Sequence, residues 1–137
     1  MSKGKGSRTE RELVHLFNDT KIWAAIRIAG SGLTKDSNPD VLAGTKGRSL
    51  AIECKSLKRT IKYLTEEDVN QILEFSDRFG AEPWFGIRFN HQGWYFIKPE
   101  HLEKTKGNNY SVSLLLVKEK GLSFEQLIKV HEKYNIF

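Results

Sequence analysis

The chain has 137 residues, a single cysteine, 39% hydrophobic and 11% aromatic residues. This predicts one globular domain with a core large enough to fold without a disulfide or structural metal, and it excludes wholesale disorder and an intramolecular disulfide. Twenty-two Lys and Arg against seventeen Asp and Glu give a net charge of +5, which favours a polyanionic partner. No signal peptide or membrane-length apolar run stands out, so a soluble cytoplasmic protein with no membrane partner is expected.

Residues 1–6 are rich in glycine and lysine and read as a flexible basic tail. Ser7 then has the chemistry of an N-cap, with Glu10 three positions later completing a capping box. Leu13, Val14, Leu16 and Phe17 supply the apolar stripe of a helix over about 8–19. Trp23–Ile28 reads as a strand, followed by a long polar loop from Gly30-Ser31-Gly32 through Asn38. Val41–Ala43 and Ser49–Lys55 read as an antiparallel hairpin turning at Gly44-Thr45-Lys46-Gly47.

Thr65-Glu66-Glu67-Asp68 opens a second helix with Val69, Ile72, Leu73, Ser76 and Phe79 on one face and Gly80 as its stop. Pro83–Phe89 and Gly93–Ile97 predict a second hairpin around Asn90-His91-Gln92. Lys104–Tyr110 reads as a polar loop, Val112–Val117 as a last strand, and Ser123-Phe124-Glu125-Gln126 as the cap of a final helix to about Tyr134. The order predicts an α/β fold with a mixed sheet flanked by helices. Aromatic residues 84, 85 and 94–96 read mainly as sheet core. Any apolar patch they leave beside Phe75 and Phe79 is where a dimer interface is expected.

The chemistry concentrates in Pro39-Asp40 and in Glu53-Cys54-Lys55, which interrupt apolar strands. Charged side chains are costly to bury unless paired, solvated or metal-bound. Strand alternation puts Glu53 and Lys55 on one face and Cys54 on the other, in the core. In a hairpin, Asp40 meets the end of the second strand, so two hard oxygen donors stand beside an ammonium group. That is a site for metal-assisted attack on a phosphodiester. A salt bridge between Glu53 and Lys55 is the plain structural alternative, but a buried pair seldom repays its own desolvation. His15, His91, His101 and His131 lack the spacing of a metal motif.

Pro39-Asp40 with Glu53-x-Lys55 resembles the PD-(D/E)xK nuclease signature. Four further blocks extend the resemblance to the archaeal Holliday-junction resolvases (Hjc): residues 6–13 (GSRTEREL), 27–31 (RIAGS), 73–80 (LEFSDRFG) and 93–97 (GWYFI). With the signature residues they cover roughly positions 6–97 in the family's order.

The resemblance implies a restriction-endonuclease-like fold and a homodimer that cuts four-way junctions in recombination and repair. A two-fold dimer would match the junction's two equivalent strands. It implies Mg²⁺, with Mn²⁺ able to substitute, held by Asp40, Glu53, Glu10 and the Cys54 backbone carbonyl. It further implies in-line attack of water and ends bearing 5′-phosphate and 3′-hydroxyl, with the activity on nucleoid DNA. Glu10 thereby becomes a third active-site acid, in conflict with its capping-box role. Lys55 is the expected electrostatic stabiliser, and Ser31 matches an active-site serine expected to position DNA. Arg11 and Arg27 match basic family positions and are expected to contact phosphate. Lys3, Lys5, Arg8, Lys58 and Arg59 lie in the two basic clusters that flank the site and are expected on the phosphate backbone. A sliding clamp or other recombination proteins are further partners the likeness allows, although no clamp-binding peptide stands out at the C-terminus. Two rivals stay open at this level: a restriction- or repair-type nuclease of the same fold, and a non-catalytic junction-binding protein.

Overall fold

The computed structural model describes residues 2–28 and 38–134, with side chains over 8–28 and 38–129. Four helices and eight strands follow in the order α1 (Ser2–Asp19), β1 (Ala24–Arg27), β2 (Val41–Thr45), β3 (Arg48–Leu57), β4 (Ile61–Leu64), α2 (Glu66–Phe79), β5 (Glu82–Phe89), β6 (Gly93–Ile97), β7 (Glu103–Lys104), β8 (Tyr110–Ser113), α3 (Leu114–Lys120) and α4 (Phe124–Tyr134). The main sheet has the order β1-β2-β3-β5-β6. It is mixed: β3 and β5 run parallel from Leu50↔Glu82 to Leu57↔Phe89, and their neighbours pair antiparallel. Among the described residues no helix is long and apolar enough to cross a membrane.

Strand alternation divides the core into two layers. Leu50 and Ile52 of β3 face Leu13 and Phe17 of α1, Trp84, Phe96 and Leu127 of α4. Ala51 and Leu57 face Val69 and Ile72 of α2 with Phe85, Ile87 and Val117. The helices cover the sheet because each presents one apolar stripe to one set of alternating strand residues. Gly86 is required by this packing. A Cβ there would meet Ile52, Phe96 and Trp94 at 3.1–3.2 Å, where the Trp94 and Phe96 rings lie parallel with centroids 5.8 Å apart.

The caps of α2 are those its sequence specifies. Thr65 and Asp68 form a reciprocal capping box, and Gly80 closes the helix in the left-handed conformation at φ 86°. Leu73 and Phe79, expected on the buried face, are exposed instead; only Val69, Ile72 and Ser76 of that set are buried.

Two further expectations are corrected. α1 starts at Ser2, so residues 2–6 are helical and Ser7 lies inside the helix rather than at its N-cap. The strand expected over Val112–Val117 ends at Ser113, whose hydroxyl accepts the Leu116 N–H and starts α3. Apolarity alone does not separate a short buried strand from a short helix, and here a serine cap decides. The basic stretch after β3 also continues into β4, a strand not read from the sequence. It pairs with β8 in a small antiparallel sheet ordered β4-β8-β7.

The end of β3 remote from Asp40 is tied by Arg48. Its guanidinium donates to both Glu82 oxygens at 2.7 and 2.9 Å and to the Leu127 carbonyl at 2.9 Å, and it lies over the Trp23 ring. Partial burial pushes the Glu82 pKa up, but hydrogen bonds from Arg48 and Trp84 outweigh it and hold the carboxyl below its usual value. Arg48 is nearly buried and joins three elements. Arg48→Ala is expected to cost about 2 kcal/mol in urea unfolding, because it strands a carboxylate and a carbonyl.

Candidate active site

The β2–β3 hairpin places the acids where its register requires. Val41 pairs with Ile52, and the adjoining Asp40 N–H donates to the carbonyl of that same Ile52 at 3.0 Å. Asp40 therefore also stands against Ile52, at the paired end of β2, close enough to Glu53 to raise its pKa. Beyond the end of β2, the Cys54 N–H donates to Asp40 Oδ2 at 2.8 Å. The Cys54 carbonyl points the same way as its N–H, since alternate residues of a strand direct both backbone groups to one neighbour. The Cys54 side chain packs with the Leu13 and Phe17 layer. Burial pushes its thiol pKa well up, helped by Asp40 and the other acids, so it stays neutral.

Lys55 Nζ lies 3.7 Å from Glu53 Oε2 on the same strand face. Glu10 comes from α1, and its Oε1 accepts from Arg27 Nε at 2.9 Å. This replaces the capping box: the carboxylate is turned toward β1 and the site, not toward a helix end. Arg27 carries further interactions besides this one.

The electrostatics are those of too many acids in too little solvent. Burial pushes the Glu53 pKa up to about 8, with Asp40 adding to it and Lys55 opposing. Burial also raises Asp40, against the Cys54 N–H, Lys55 and Arg27. Glu10 is raised by burial and by Asp40, against the Arg27 hydrogen bond. Two half-buried carboxylates this close, with the Cys54 carbonyl next in the chain, have the donor chemistry that a hard divalent cation requires. Among the described residues no three His, Cys, Asp or Glu side chains converge as a ready cage. The fitting donors are therefore Asp40, Glu53 and the Cys54 carbonyl, with Glu10 adjoining through its interaction with Asp40.

Comparison with known proteins places the chain in a family. The family model described as "Archaeal holliday junction resolvase (hjc)" matches residues 1–136. The chain belongs to the Hjc family. It is 38% identical over 133 residues to a protein of Sulfurisphaera tokodaii named crossover junction endodeoxyribonuclease Hjc, covering 96% of this chain and 90% of the relative. A Methanocaldococcus jannaschii protein of the same name is 40% identical over 108 residues, covering 79% and 75%. The solved structure of Archaeoglobus fulgidus Hjc, a Holliday junction resolvase, superposes with a TM-score of 0.81 at 31% identity, covering 88% of this chain and 98% of that one. The expected α/β architecture, a mixed sheet flanked by helices, is thus the architecture of a solved Hjc.

Of the residues expected at the candidate site, the structure brings Asp40, Glu53, Lys55, Cys54, Glu10 and Arg27 together. Arg8 and Arg11 lie exposed on α1, and Lys58 and Arg59 lie exposed in the turn after β3. Ser31 falls outside the described residues, as do the side chains of Lys3 and Lys5. The sequence reading missed Glu12 and Arg88. Glu12 accepts from Arg88 Nε at 2.6 Å and from Trp94 Nε1 at 2.7 Å. A contact across 76 positions leaves no local signal in sequence.

Proposed function

We propose that this chain is a crossover junction endodeoxyribonuclease that hydrolyses paired phosphodiesters in four-way DNA junctions and depends on Mg²⁺. The observation that carries the site assignment is that Asp40 is held by the Cys54 N–H beside Glu53, with Lys55 alongside, within a chain of the Hjc family. Asp40, Glu53 and the Cys54 carbonyl would hold the cation, with Glu10 as the adjoining acid. Bound there, Mg²⁺ supplies Lewis-acid polarisation and a lowered water pKa. Lys55 presents its ammonium to the phosphoryl oxygens as charge develops. The Cys54 N–H fixes one oxygen of Asp40, so this carboxylate is oriented before substrate arrives. Arg27 holds Glu10 against β1 in the same way. Ser31 and the N-terminal lysines complete the proposed DNA-contacting set.

A single chain acts here as one nuclease domain, and two copies form the working unit. Phe79 is exposed and stacks on Phe75 at 5.3 Å, near Leu73 on the same helix. A second protomer covering this patch would present two equivalent sites to two equivalent strands. Recognition then rests on backbone phosphates and junction shape.

The products test the chemistry. Nicked junction arms should be sealed by DNA ligase without end treatment, as 5′-phosphate and 3′-hydroxyl ends require. Products that need a kinase before sealing would overturn the proposed bond cleavage. Replacing Lys58 and Arg59 together by alanine should weaken junction binding and lower the slope of log K against log salt by about 2. An unchanged slope would take this turn out of the interface.

A further inference from the structure

A cleft of about 340 Å³ opens beside the site, between α1 and the ends of β3 and β5. Three cations line it, Arg8, Lys58 and Arg88, together with Ser56, Asn90 and one acid, Glu12. Its floor is fixed where the Asn90 N–H donates to the Leu57 carbonyl at 2.8 Å, closing the β3–β5 pair. Ser56 follows Lys55 directly, and Arg8 lies less than one helical turn from Glu10. By strand alternation Ser56 shares the α1-facing side of β3 with Ile52 and Cys54, so the cleft lies on the other face from Glu53 and Lys55, three residues or about 10 Å along the strand from Glu53.

Glu12 has a defined task in it. Its Oε1 accepts from Arg88 Nε at 2.6 Å and from Trp94 Nε1 at 2.7 Å, and Oε2 lies 3.5 Å from Arg88 Nη2. The indole fixes the carboxylate, and the carboxylate grips one edge of the guanidinium. A planar guanidinium has a second edge with two further donors, suited to bidentate recognition of a phosphate. An arginine held along one edge has lost its rotamer freedom before a ligand arrives, so its remaining donors bind at lower entropic cost.

We infer that this cleft seats a non-scissile phosphate of the strand being cut, and that Glu12 is the positioning residue that aims Arg88 at it. The inference rests on the junction-cleaving reading above. Arg8 and Lys58 supply further charge to the same phosphate run, and Ser56 and Asn90 supply neutral donors. Seating a neighbouring phosphate registers the scissile one over Asp40 and Glu53, so a loss here reaches cleavage through alignment.

The test uses full-length protein and a synthetic immobile four-way junction. Binding is titrated over a salt series in EDTA, and single-turnover cleavage is followed with Mg²⁺. Arg88→Ala should weaken binding about tenfold and lower the salt slope by about 1. Glu12→Gln retains Arg88 and can still accept from Trp94. It should leave the salt slope unchanged but slow cleavage about tenfold, as expected for a lost orienting partner. In the Arg88→Ala background, Glu12→Gln should have no further effect on cleavage, because both act through one guanidinium. A folded Arg88→Ala protein with the wild-type slope would overturn the phosphate site. Additive losses in the double variant would overturn the positioning role. Should Glu12→Gln fail to fold, Arg88→Ala alone decides the phosphate site, and Arg88→Lys, which keeps the charge but loses the fork, decides positioning by slowing cleavage at an unchanged slope. A wild-type protein that neither binds nor cuts the junction would instead sink the resolvase reading, and the cleft with it.

Discussion

Glu53→Gln is expected to abolish cleavage and, at the same time, to stabilise the metal-free protein near neutral pH. The loss of activity follows from removing one of the two carboxylates across the hairpin, and should reach about 10³-fold or more, the scale of a preorganised electrostatic partner. The gain in stability follows from the crowding of acids. Burial and Asp40 raise the Glu53 pKa to about 8, whereas the unfolded chain keeps an ordinary carboxyl near 4.3. Between those values the folded state holds a proton that the unfolded state has released. Stability must therefore fall as pH rises through this window, and level off above the folded pKa.

Glutamine carries no such cost, and it also relieves Asp40. The Tm difference between Glu53→Gln and wild type should be small at pH 5 and grow toward pH 8, where it should correspond to at least about 1.4 kcal/mol, one pKa unit. Mg²⁺ should raise the wild-type Tm and leave the variant's in place. A variant less stable than wild type at pH 8 without metal would mean that the Glu53–Lys55 pair is a structural salt bridge and not a strained ligand set.

Asp40→Asn is expected to separate cutting from binding. Asparagine can still accept the Cys54 N–H now taken by Asp40 Oδ2, so the hairpin end should keep its geometry. What disappears is an anionic ligand, and cleavage should fall as far as in Glu53→Gln. Junction affinity in EDTA should stay within about threefold of wild type or tighten, because phosphate contacts carry recognition and one repelling charge has gone. Binding lost in step with cleavage would make Asp40 a structural residue.

The site was more legible in the sequence than the peripheral fold. Asp40, Glu53 and Lys55 stood out because charged residues in apolar strands need a reason, and alternation already gave Glu53 and Lys55 their shared face. The hairpin and α2 were readable for local causes: Gly47 in the turn, the Thr65–Asp68 box and Gly80 as a stop. Local spacing alone offered Glu10 a capping box with Ser7, and only the family resemblance set it at the site. The helix simply continues past them to Ser2, and Arg27, seventeen positions away, takes the carboxylate. The switch at Ser113 turns on a serine cap that an apolar run hides, and the pairing of β4 with β8 joins residues more than forty positions apart. Glu12 and Arg88 were illegible for the same reason. Neither residue type is unusual on a helix or strand, and only the fold makes them neighbours.

The most direct test is cleavage of an immobile four-way junction beside linear duplex of the same sequence, with wild type and Glu53→Gln, in Mg²⁺ and in EDTA. Paired nicks confined to the junction, and requiring both the metal and Glu53, are the result expected of this site. Tight junction binding without any cut, or equal cutting of the linear duplex, would contradict it.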